Sequence, residues 1–279
     1  MQRKIAIVGY GFVGKAVGYG FTHNYIKQQH IDPRLNTDIS DIDPDTDFIF
    51  VCVPTPMDDF SIVTNVMSQL VHTKHPETII ILKSTVPPHL VDEFCGDDVV
   101  YNPEFLTEKS AQEQFINPQF HILGGNDEVI TYEVQHFYDT YSLCNPAKFF
   151  HMSGVEASLV KYAINSFLAT KVTFFNQMYD LCEEFDANPS LVFNAVGSDS
   201  RIGHGHTKVP GFDGKRGFGG ACFPKDTKAI TQCAGDGVLS IIEEVIKVNN
   251  EYRSRYALDT REKEQKVVYI SPKVWYNIL

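Results

Sequence analysis

The chain has 279 residues, of which 43% are hydrophobic and 21% are charged, and its formal net charge at pH 7 is -11. This length is enough for one large domain or for two ordinary ones, each with a hydrophobic core. The negative charge argues against a protein that binds nucleic acid regardless of sequence, because such a protein carries a basic face.

The sequence shows no pattern typical of export or membrane insertion. Its longest apolar runs, such as FIFVCV, are too short to cross a bilayer, and no apolar stretch of signal-peptide length precedes the first glycines. The cysteines contain no CxxC pair, which favours reduced thiols and argues against a structural zinc site. We therefore expect a cytoplasmic protein without a metal, a membrane partner or a nucleic-acid partner.

Short apolar segments alternate with helix-compatible segments through the first half of the chain. The predicted strands are Lys4–Gly9, Lys27–Asp32, Phe48–Val53, Thr78–Leu82, Val99–Asn102, His121–Leu123 and Lys148–His151. The predicted helices are Phe12–Phe21, Ile62–Thr73, Pro88–Phe94 and Glu128–Tyr141. This alternation predicts parallel strands joined by crossovers, and therefore an α/β fold. The Asp- and Pro-rich segment between residues 32 and 48 is too short for a helical crossover and predicts at most an abbreviated strand or a turn.

A glycine-rich turn follows the first predicted strand. Gly9, Gly11 and Gly14 form the pattern GYGFVG, which allows a tight turn, close approach of a pyrophosphate and contact between helix and strand. Asp32 follows at the distance where an acidic residue accepts hydrogen bonds from the ribose of NAD and repels the 2′-phosphate of NADP. An ordinary loop carboxylate is the alternative for Asp32, and Arg34 leaves NADP open.

The second half of the chain has a helical character. Apolar residues recur at helical spacing from Gly154 onward, which predicts one helix of about 30 residues and about 45 Å. A second long helix is predicted over Leu239–Arg261, and one strand in the tail that begins at Lys263. The sequence thus predicts an N-terminal Rossmann-type NAD-binding domain over residues 1–151. An all-α domain built on the long helix follows over residues 152–279.

The stretch GFGGACFPKDTKAI, residues 217–230, places a thiol, an ammonium group and a carboxylate within five residues. These groups belong to Cys222, Lys225 and Asp226. A buried structural cysteine needs neither the preceding glycines nor the charged neighbours, although an inert core position is the usual fate of a thiol. The pattern favours a nucleophile. His204 and His206, in the preceding loop, are interpreted as ordinary polar residues rather than metal ligands.

Seven segments in order resemble the nucleotide-sugar dehydrogenase family and together span nearly the whole chain. They are GYGFVG, VPTP, STVPP, NPEFLTEKSA, EASLVKYAINSFLATK, SRIG and GFGGACFPKDTKA. The resemblance implies oxidation of a sugar CH2OH group to a carboxylate in two NAD-dependent steps, which serves polysaccharide biosynthesis. Within the family, the motif CFPKDTKA resembles the UDP-glucose and GDP-mannose branch more than the N-acetylhexosamine branch. UDP-glucose is therefore the expected substrate.

The resemblance also implies catalytic roles, position by position. Cys222 matches the family's nucleophile, which forms a thioester with the sugar. Lys161 and Asn165 match a pair that stabilises the developing oxyanion, and their i, i+4 spacing puts both on one helix face. Asp226 matches the carboxylate that takes the hydroxyl proton.

Glu104 matches the acid that activates water for hydrolysis of the thioester, and Thr85 matches the residue that orients this water. Asn102 and Pro103 have the residue types of an N-cap and a first helical residue, so a helix is expected to begin there. Glu108 is kept among the cofactor contacts, although a carboxylate that stabilises a first helical turn is its favoured interpretation.

The remaining candidate contacts follow from the same resemblance. The candidate cofactor contacts are Gly9, Gly11, Phe12, Val13, Gly14, Asp32, Pro54, Thr55, Thr85, Glu108 and Lys225. The candidate substrate contacts are Glu104, Phe105, Leu106, Lys161, Asn165, Arg201, Lys208, Phe218 and Gly219. In the family, the residue matching Arg201 reaches the substrate of a neighbouring subunit and the long helix carries the dimer interface, so a homodimer is expected. The loop over residues 210–217 is longer than is usual in the family.

The resemblance has one large gap. No segment resembles the signature that opens the family's C-terminal UDP-binding domain, so the sequence predicts a short form without it. An NAD-binding relative with a regulatory role and no sugar turnover is therefore an alternative. A single-step 3-hydroxyacid-type dehydrogenase is another, but that chemistry has no use for Cys222 or Glu104. The favoured interpretation requires the thiol of Cys222 to face the same cleft as the Lys161 amine and the nicotinamide ring.

Overall fold

The computed structural model describes residues 2–270, which divide into two units. The sheet unit extends to Thr55 and resumes from Asp59 to Lys161, and the helical unit contains Pro56–Asp58 and the chain from Tyr162 onward. The sequence-based boundary after residue 151 falls earlier than this division. The difference arises because the first turns of the long helix belong to the sheet unit, where Ser158 Oγ donates a buried hydrogen bond to a backbone carbonyl.

The sheet unit is built on seven strands. They are β1 Arg3–Val8, β2 Ile26–Ile31, β3 Phe48–Val51, β4 Ile79–Leu82, β5 Val99–Tyr101, β6 Phe120–Gly124 and β7 Lys148–Met152. Their order across the sheet is β2-β1-β3-β4-β5-β6-β7. Each predicted strand is present, and the α/β fold class is confirmed.

Five α-helices accompany these strands. They are α1 Phe12–Gly20, α2 Ser61–Thr73, α3 Pro88–Phe94, α4 Ala111–Ile116 and α5 Glu128–Tyr141. Two short 3-10 helices, Pro33–Leu35 and Ile39–Asp41, occupy the segment after β2. The prediction of at most an abbreviated element there is confirmed.

Two sequence-based expectations about the sheet unit are wrong. The strands are not all parallel, because β5 and β6 pair antiparallel through Tyr101 and Gly124. The connection between them contains a short 3-10 helix and the short α4 but no helical crossover, and Phe115 of α4 lies against Gly20 of α1. No helix begins at Asn102, because its side chain is buried and accepts hydrogen bonds from Lys83 Nζ and Tyr138 OH at 2.8 Å each.

The core of the sheet unit lies on both faces of the sheet. Alternate residues of the central strands point to opposite faces, so Ile5 and Phe48 belong to one apolar cluster and Ala6 and Ile49 to the other. Strands buried on both faces carry the continuous apolar runs that made them recognisable in the sequence.

The helical unit contains most of α6 Gly154–Glu184, together with α7 Pro189–Gly197, α8 Phe223–Cys233, α9 Ser240–Arg253 and α10 Thr260–Glu264. The predicted helix over Leu239–Arg261 is wrong in its second half. The chain leaves α9 after Arg253, and a capping box between Asp259 and Glu262 starts the separate α10. The sequence predicts a strand in the tail, but residues 265–270 form none. Residues 271–279 lie outside the described part of the chain.

Candidate functional site

The predicted cofactor contacts lie along one edge of the sheet. The glycine turn follows β1, Asp32 follows β2, Pro54 and Thr55 follow β3, and Thr85 follows β4. Because these strands are parallel and adjacent, their carboxyl ends meet at one edge. In open α/β sheets this edge is where dinucleotides bind.

Glycine is present at the three positions of the turn for different structural reasons. Gly9 has a φ of 89°, and a Cβ there would lie 2.6 Å from the carbonyl oxygen of Cys52. A Cβ on Gly14 would lie 2.1 Å from the carbonyl oxygen of Gly9. At Gly11, the N-cap of α1, the closest neighbour of a Cβ would be Arg34 Nη2 at 4.0 Å, so the space there is open. The turn therefore fits a pyrophosphate, with Gly11 as the point of close approach.

Asp32 is almost fully buried, and its carboxylate accepts hydrogen bonds from neighbouring residues of the chain. Oδ2 accepts hydrogen bonds from the Tyr10 amide and from Arg34 Nη2, each at 2.8 Å, and Oδ1 accepts from Arg34 Nε at 2.9 Å. These bonds, above all those from the Arg34 side chain, hold the pKa of Asp32 well below its usual range. The carboxylate is thus ionised and links the glycine turn to the end of β2, the place where a ribose binds in this fold.

Glu104 and Lys161 are brought together in the sheet unit. Lys161 Nζ donates to the Glu104 carbonyl oxygen at 2.5 Å and lies 3.4 Å from Glu104 Oε1. The amide of Leu106 donates to Glu104 Oε2 at 2.6 Å, and the Lys161 ammonium lies 5.1 Å from the centre of the Phe105 ring. The structure therefore brings four of the predicted substrate contacts together, with Glu104, Phe105 and Leu106 after β5, Lys161 on α6, and a largely buried ion pair between Glu104 and Lys161.

The other predicted contacts of the sheet unit differ in exposure. Thr55 and Thr85 are buried, whereas Pro54 and Glu108 are exposed. The turns after β3 and β4 are tied together, because Ser84 Oγ donates to the Val53 carbonyl oxygen at 2.8 Å. Glu108 lies in the first turn of a short 3-10 helix, where its carboxylate is of the kind that stabilises a helix start.

Cys222 occupies the N-cap position of α8 and is half-buried. The helix that follows has 11 residues, and the amide groups of a helix N-terminus stabilise a nearby negative charge. This is one of the environments in which thiols become nucleophiles.

One turn into α8, Asp226 is held by two other predicted residues. Its Oδ1 accepts from Lys225 Nζ and its Oδ2 from Asn165 Nδ2, each at 2.6 Å. Both Asp226 and Asn165 are buried. The structure therefore joins a carboxylate and an ammonium group from the segment that contains Cys222 to an amide from the long helix α6.

The remaining substrate candidates lie in different surroundings. Arg201 is exposed and pairs with Asp199 at 2.7 Å, and Lys208 is exposed with its ammonium 4.9 Å from the centre of the Phe212 ring. The Phe218 side chain is buried in the helical core, and its ring does not face solvent. Their roles in substrate binding stay predictions.

Sequence reasoning missed several side chains that shape these sites. Lys83 is buried beside Asn102, and Asn249, Arg253 and Glu262 are buried around the glycines that precede Cys222. Nothing local in the sequence distinguishes these polar side chains from solvated ones, because their burial depends on tertiary contacts. Within residues 2–270 there is no cluster of three or more His, Cys, Asp or Glu that could hold a metal ion, and no helix is both long and apolar enough to span a membrane.

Two sequence profiles of one family match the chain. Residues 23–142 match the NAD binding domain of the UDP-glucose/GDP-mannose dehydrogenase family, and residues 155–251 match its central domain. The glycine turn precedes the first matched range, so its assignment depends on its own geometry.

Among curated proteins, the chain is similar to the UDP-glucose 6-dehydrogenase of Rickettsia conorii, with 34% identity over 247 residues. That alignment covers 81% of this chain and 55% of the relative. The UDP-glucose 6-dehydrogenase TuaD of Bacillus subtilis is 30% identical, with 90% of this chain and 64% of the relative covered. The chain thus spans between half and two thirds of the length of these relatives.

Among solved structures, a UDP-glucose dehydrogenase from Pyrobaculum islandicum superimposes with a TM-score of 0.74 at 28% identity, covering 95% of this chain and 72% of that one. A UDP-D-ManNAc dehydrogenase from Pyrococcus horikoshii has a TM-score of 0.75 at 18% identity, covering 89% of this chain and 68% of that one. The second likeness is one of fold alone.

Proposed function

The chain belongs to the UDP-glucose/GDP-mannose dehydrogenase family and uses NAD, and from this membership we propose that it oxidises a nucleotide sugar in two steps. The proposed substrate is UDP-glucose and the product UDP-glucuronate, in line with the names of the relatives. The observation that carries the proposal is the group around Asp226, which lies one turn after a thiol at a helix N-terminus.

The first step removes a proton and a hydride from the sugar CH2OH group. NAD, when bound, supplies the acceptor for the hydride in each of the two oxidations. Asp226 accepts the hydroxyl proton in this proposal. Its two donors, Lys225 and Asn165, occupy one lone-pair site on each oxygen, and a carboxylate has about four such sites, so room for the proton is left.

In the second step the Cys222 sulfur adds to the aldehyde carbon and forms the oxyanion of a thiohemiacetal, which becomes a thioester when it loses a hydride. The thiol proton leaves to solvent as the C–S bond forms. Lys161 is the proposed cation near the developing oxyanion, and its position is already fixed by the backbone carbonyl of Glu104.

Hydrolysis then releases the product. In the proposal Glu104 takes a proton from a water that Thr85 orients, the water oxygen attacks the thioester carbon, and the C–S bond breaks to give the carboxylate and the free thiol. The Leu106 amide and Lys161 both hold the Glu104 carboxyl group, which supports a fixed rather than a mobile base.

The exposed face of α6 supports a homodimer. Phe167, Phe174 and Leu181 recur at intervals of seven residues and are all exposed, with Phe167 at 68%. Such spacing keeps side chains on one face of a helix, and a second copy of the chain would cover them. Sedimentation equilibrium should give twice the 31.5 kDa chain mass, and a Phe174→Asp variant should shift the protein toward the monomer. A wild-type monomer at all concentrations would contradict the dimer.

The cysteines support the proposal of a reducing, cytoplasmic compartment. All six are within the described residues and no disulfide links them. Oxidising compartments favour disulfides, so six unlinked thiols are typical of proteins kept in reducing surroundings.

The proposed function is tested by following NADH formation with NAD and UDP-glucose. The wild type should turn over, and a Cys222→Ser variant should stop at or before the second oxidation because serine forms no thioester. Cys233→Ser, which removes an exposed thiol at the other end of α8, is the matched control and should retain the wild-type rate. NAD binding without turnover of any nucleotide sugar would instead indicate a binding or regulatory protein.

A further inference from the structure

Arg253, at the end of α9, is the centre of a buried charged cluster in the helical unit. Its side chain is 1% exposed, with Nη2 donating to Glu262 Oε1 at 2.5 Å and Nη1 donating to Asp213 Oδ2 at 2.7 Å. Glu262 is 0% exposed and also accepts from Tyr269 OH at 2.8 Å, while Lys215 Nζ lies 3.9 Å from its other oxygen.

The cluster lies directly against the glycines that precede Cys222. A Cβ on Gly219 would lie 2.0 Å from Arg253 Nη2 and 2.4 Å from Glu262 Oε1. The amide of Gly220 donates to Glu262 Oε1 at 3.3 Å. The guanidinium and the carboxylate therefore fill the space that a side chain on Gly219 would need.

The other residues of this glycine-rich turn, which spans Gly217–Gly220, also form backbone hydrogen bonds with side chains of other elements. The Phe218 amide donates to Asn249 Oδ1 at 2.6 Å, and Asn249 Nδ2 donates to the Phe218 carbonyl oxygen at 3.0 Å. The Gly217 amide donates to Asn176 Oδ1 at 3.0 Å. A turn outside helices and strands has no ladder of its own, so these side chains supply its backbone with partners.

Two segments that the family resemblance left without a role supply the carboxylates. Asp213 comes from the extended loop over residues 210–217, and Glu262 comes from α10. Burial alone would raise the pKa of Glu262, but hydrogen bonds from the Asp259 amide, Tyr269 and Arg253 outweigh it and lower the pKa to about 2. Glu262 therefore stays ionised at neutral pH and keeps its bond to Arg253.

We propose that Arg253, Glu262 and Asp213 are positioning residues that hold the Gly217–Gly220 turn in place and thereby keep the Cys222 thiol at the N-terminus of α8. The extended loop and α10 then have one shared role, which is to fix the geometry of the proposed nucleophile. The inference rests on the proposed nucleophilic role of Cys222, but it concerns the reactivity of the thiol and can be measured without any sugar.

The test is the rate at which iodoacetamide alkylates Cys222, followed by peptide mass spectrometry at pH 7 and pH 10. A Glu262→Gln variant removes the charge, and the turn should relax so that the thiol leaves the helix N-terminus. We expect alkylation to be about fivefold slower than in the wild type at pH 7 and about equal at pH 10, where a free thiol is ionised anyway. The titratable neighbours on α8, Lys225 and Asp226, are unchanged in the variant.

Controls separate positioning from loss of structure. Glu264→Gln alters an exposed carboxylate on the same helix α10 and should leave both rates unchanged. A merely structural role would make Cys222 more accessible, and alkylation would then be faster at both pH values, which would overturn the proposal.

Asp213→Asn keeps the Arg253–Glu262 pair and provides a second test if Glu262→Gln does not fold. It should slow alkylation at pH 7 by about twofold. Wild-type rates in every folded variant would also overturn the proposal. Because no substrate is used, either result stands independently of whether UDP-glucose is turned over.

Discussion

The sheet unit and the helical unit position their functional groups by different means. In the sheet unit, candidate residues follow the ends of adjacent parallel strands, so the regular hydrogen bonding of the sheet fixes where they lie. In the helical unit, Cys222 follows an irregular turn whose backbone is bound by buried side chains of α6, α9 and α10. In the sheet unit the regular backbone fixes the positions of the functional groups. In the helical unit a few buried polar side chains fix them.

This difference predicts that the two units fail in different ways. In the helical unit, removing one charge of the Arg253 cluster should have a large effect, because an uncompensated charge in a core is costly. In the sheet unit, the sensitive positions are those where backbone segments touch, such as Gly9 and Gly14.

The largest expected effect is that of Glu262→Ala. The substitution leaves Arg253 buried with Asp213 as its ion-pair partner among the described residues, and breaking a buried pair in this way costs about 3–5 kcal/mol of unfolding free energy. Urea denaturation measures the loss, and Glu264→Ala, at an exposed position of the same helix, should lie within about 0.5 kcal/mol of the wild type. Equal stability of the two variants would show that the cluster does not hold the helical unit together.

Most of the sheet unit could be predicted from the sequence because its signals are local. Runs such as IAIVG and IIIL are apolar on both faces, and GYGFVG directly follows one of them, so strand, turn and helix were all recognisable. The antiparallel β5–β6 pair could not be predicted, because it depends on where α4 lies against α1 rather than on any run of residues.

The contacts of the helical unit were much less predictable. Arg253 and Glu262 are charged residues in polar-looking sequence, and nothing local distinguishes them from solvated side chains. Their burial follows from tertiary contacts with the Gly217–Gly220 turn. Asn165, Lys225 and Asp226 were identified by family resemblance, yet their mutual hydrogen bonds appear only in the structure.

A smaller effect is expected at the glycines of the sheet unit. Gly14→Ala places a methyl group against the Gly9 carbonyl oxygen, which is a backbone atom. The substitution should lower the free energy of unfolding by about 1–3 kcal/mol and should also weaken NAD binding. Gly11→Ala meets open space and should keep the stability of the wild type while weakening NAD binding. Thermal unfolding combined with NAD titration calorimetry separates the two effects, and identical behaviour of both variants would contradict the different reasons given for these glycines.

The smallest expected effect concerns a buried charge in the sheet unit. Burial lowers the pKa of Lys83 from 10.5 to about 8. Between these values the unfolded chain binds more protons than the folded one, so the Lys83 contribution to stability rises with pH. From pH 8 to pH 9.5 the stability of the wild type should rise by about 1.5 kcal/mol relative to a Lys83→Met variant. Urea denaturation measures both stabilities across this pH range. If the wild type and Lys83→Met gave parallel pH profiles, the folded and unfolded chains would bind the Lys83 proton with equal affinity, which would contradict the prediction.

The most direct test of the central claim is the number of NADH molecules formed per UDP-glucose when the sugar is limiting and NAD is in excess. The claim is that one chain oxidises the sugar twice, with Cys222 holding the intermediate between the aldehyde and the acid. The account predicts two NADH per sugar and UDP-glucuronate as the product. One NADH per sugar with release of an aldehyde, or none, would contradict it.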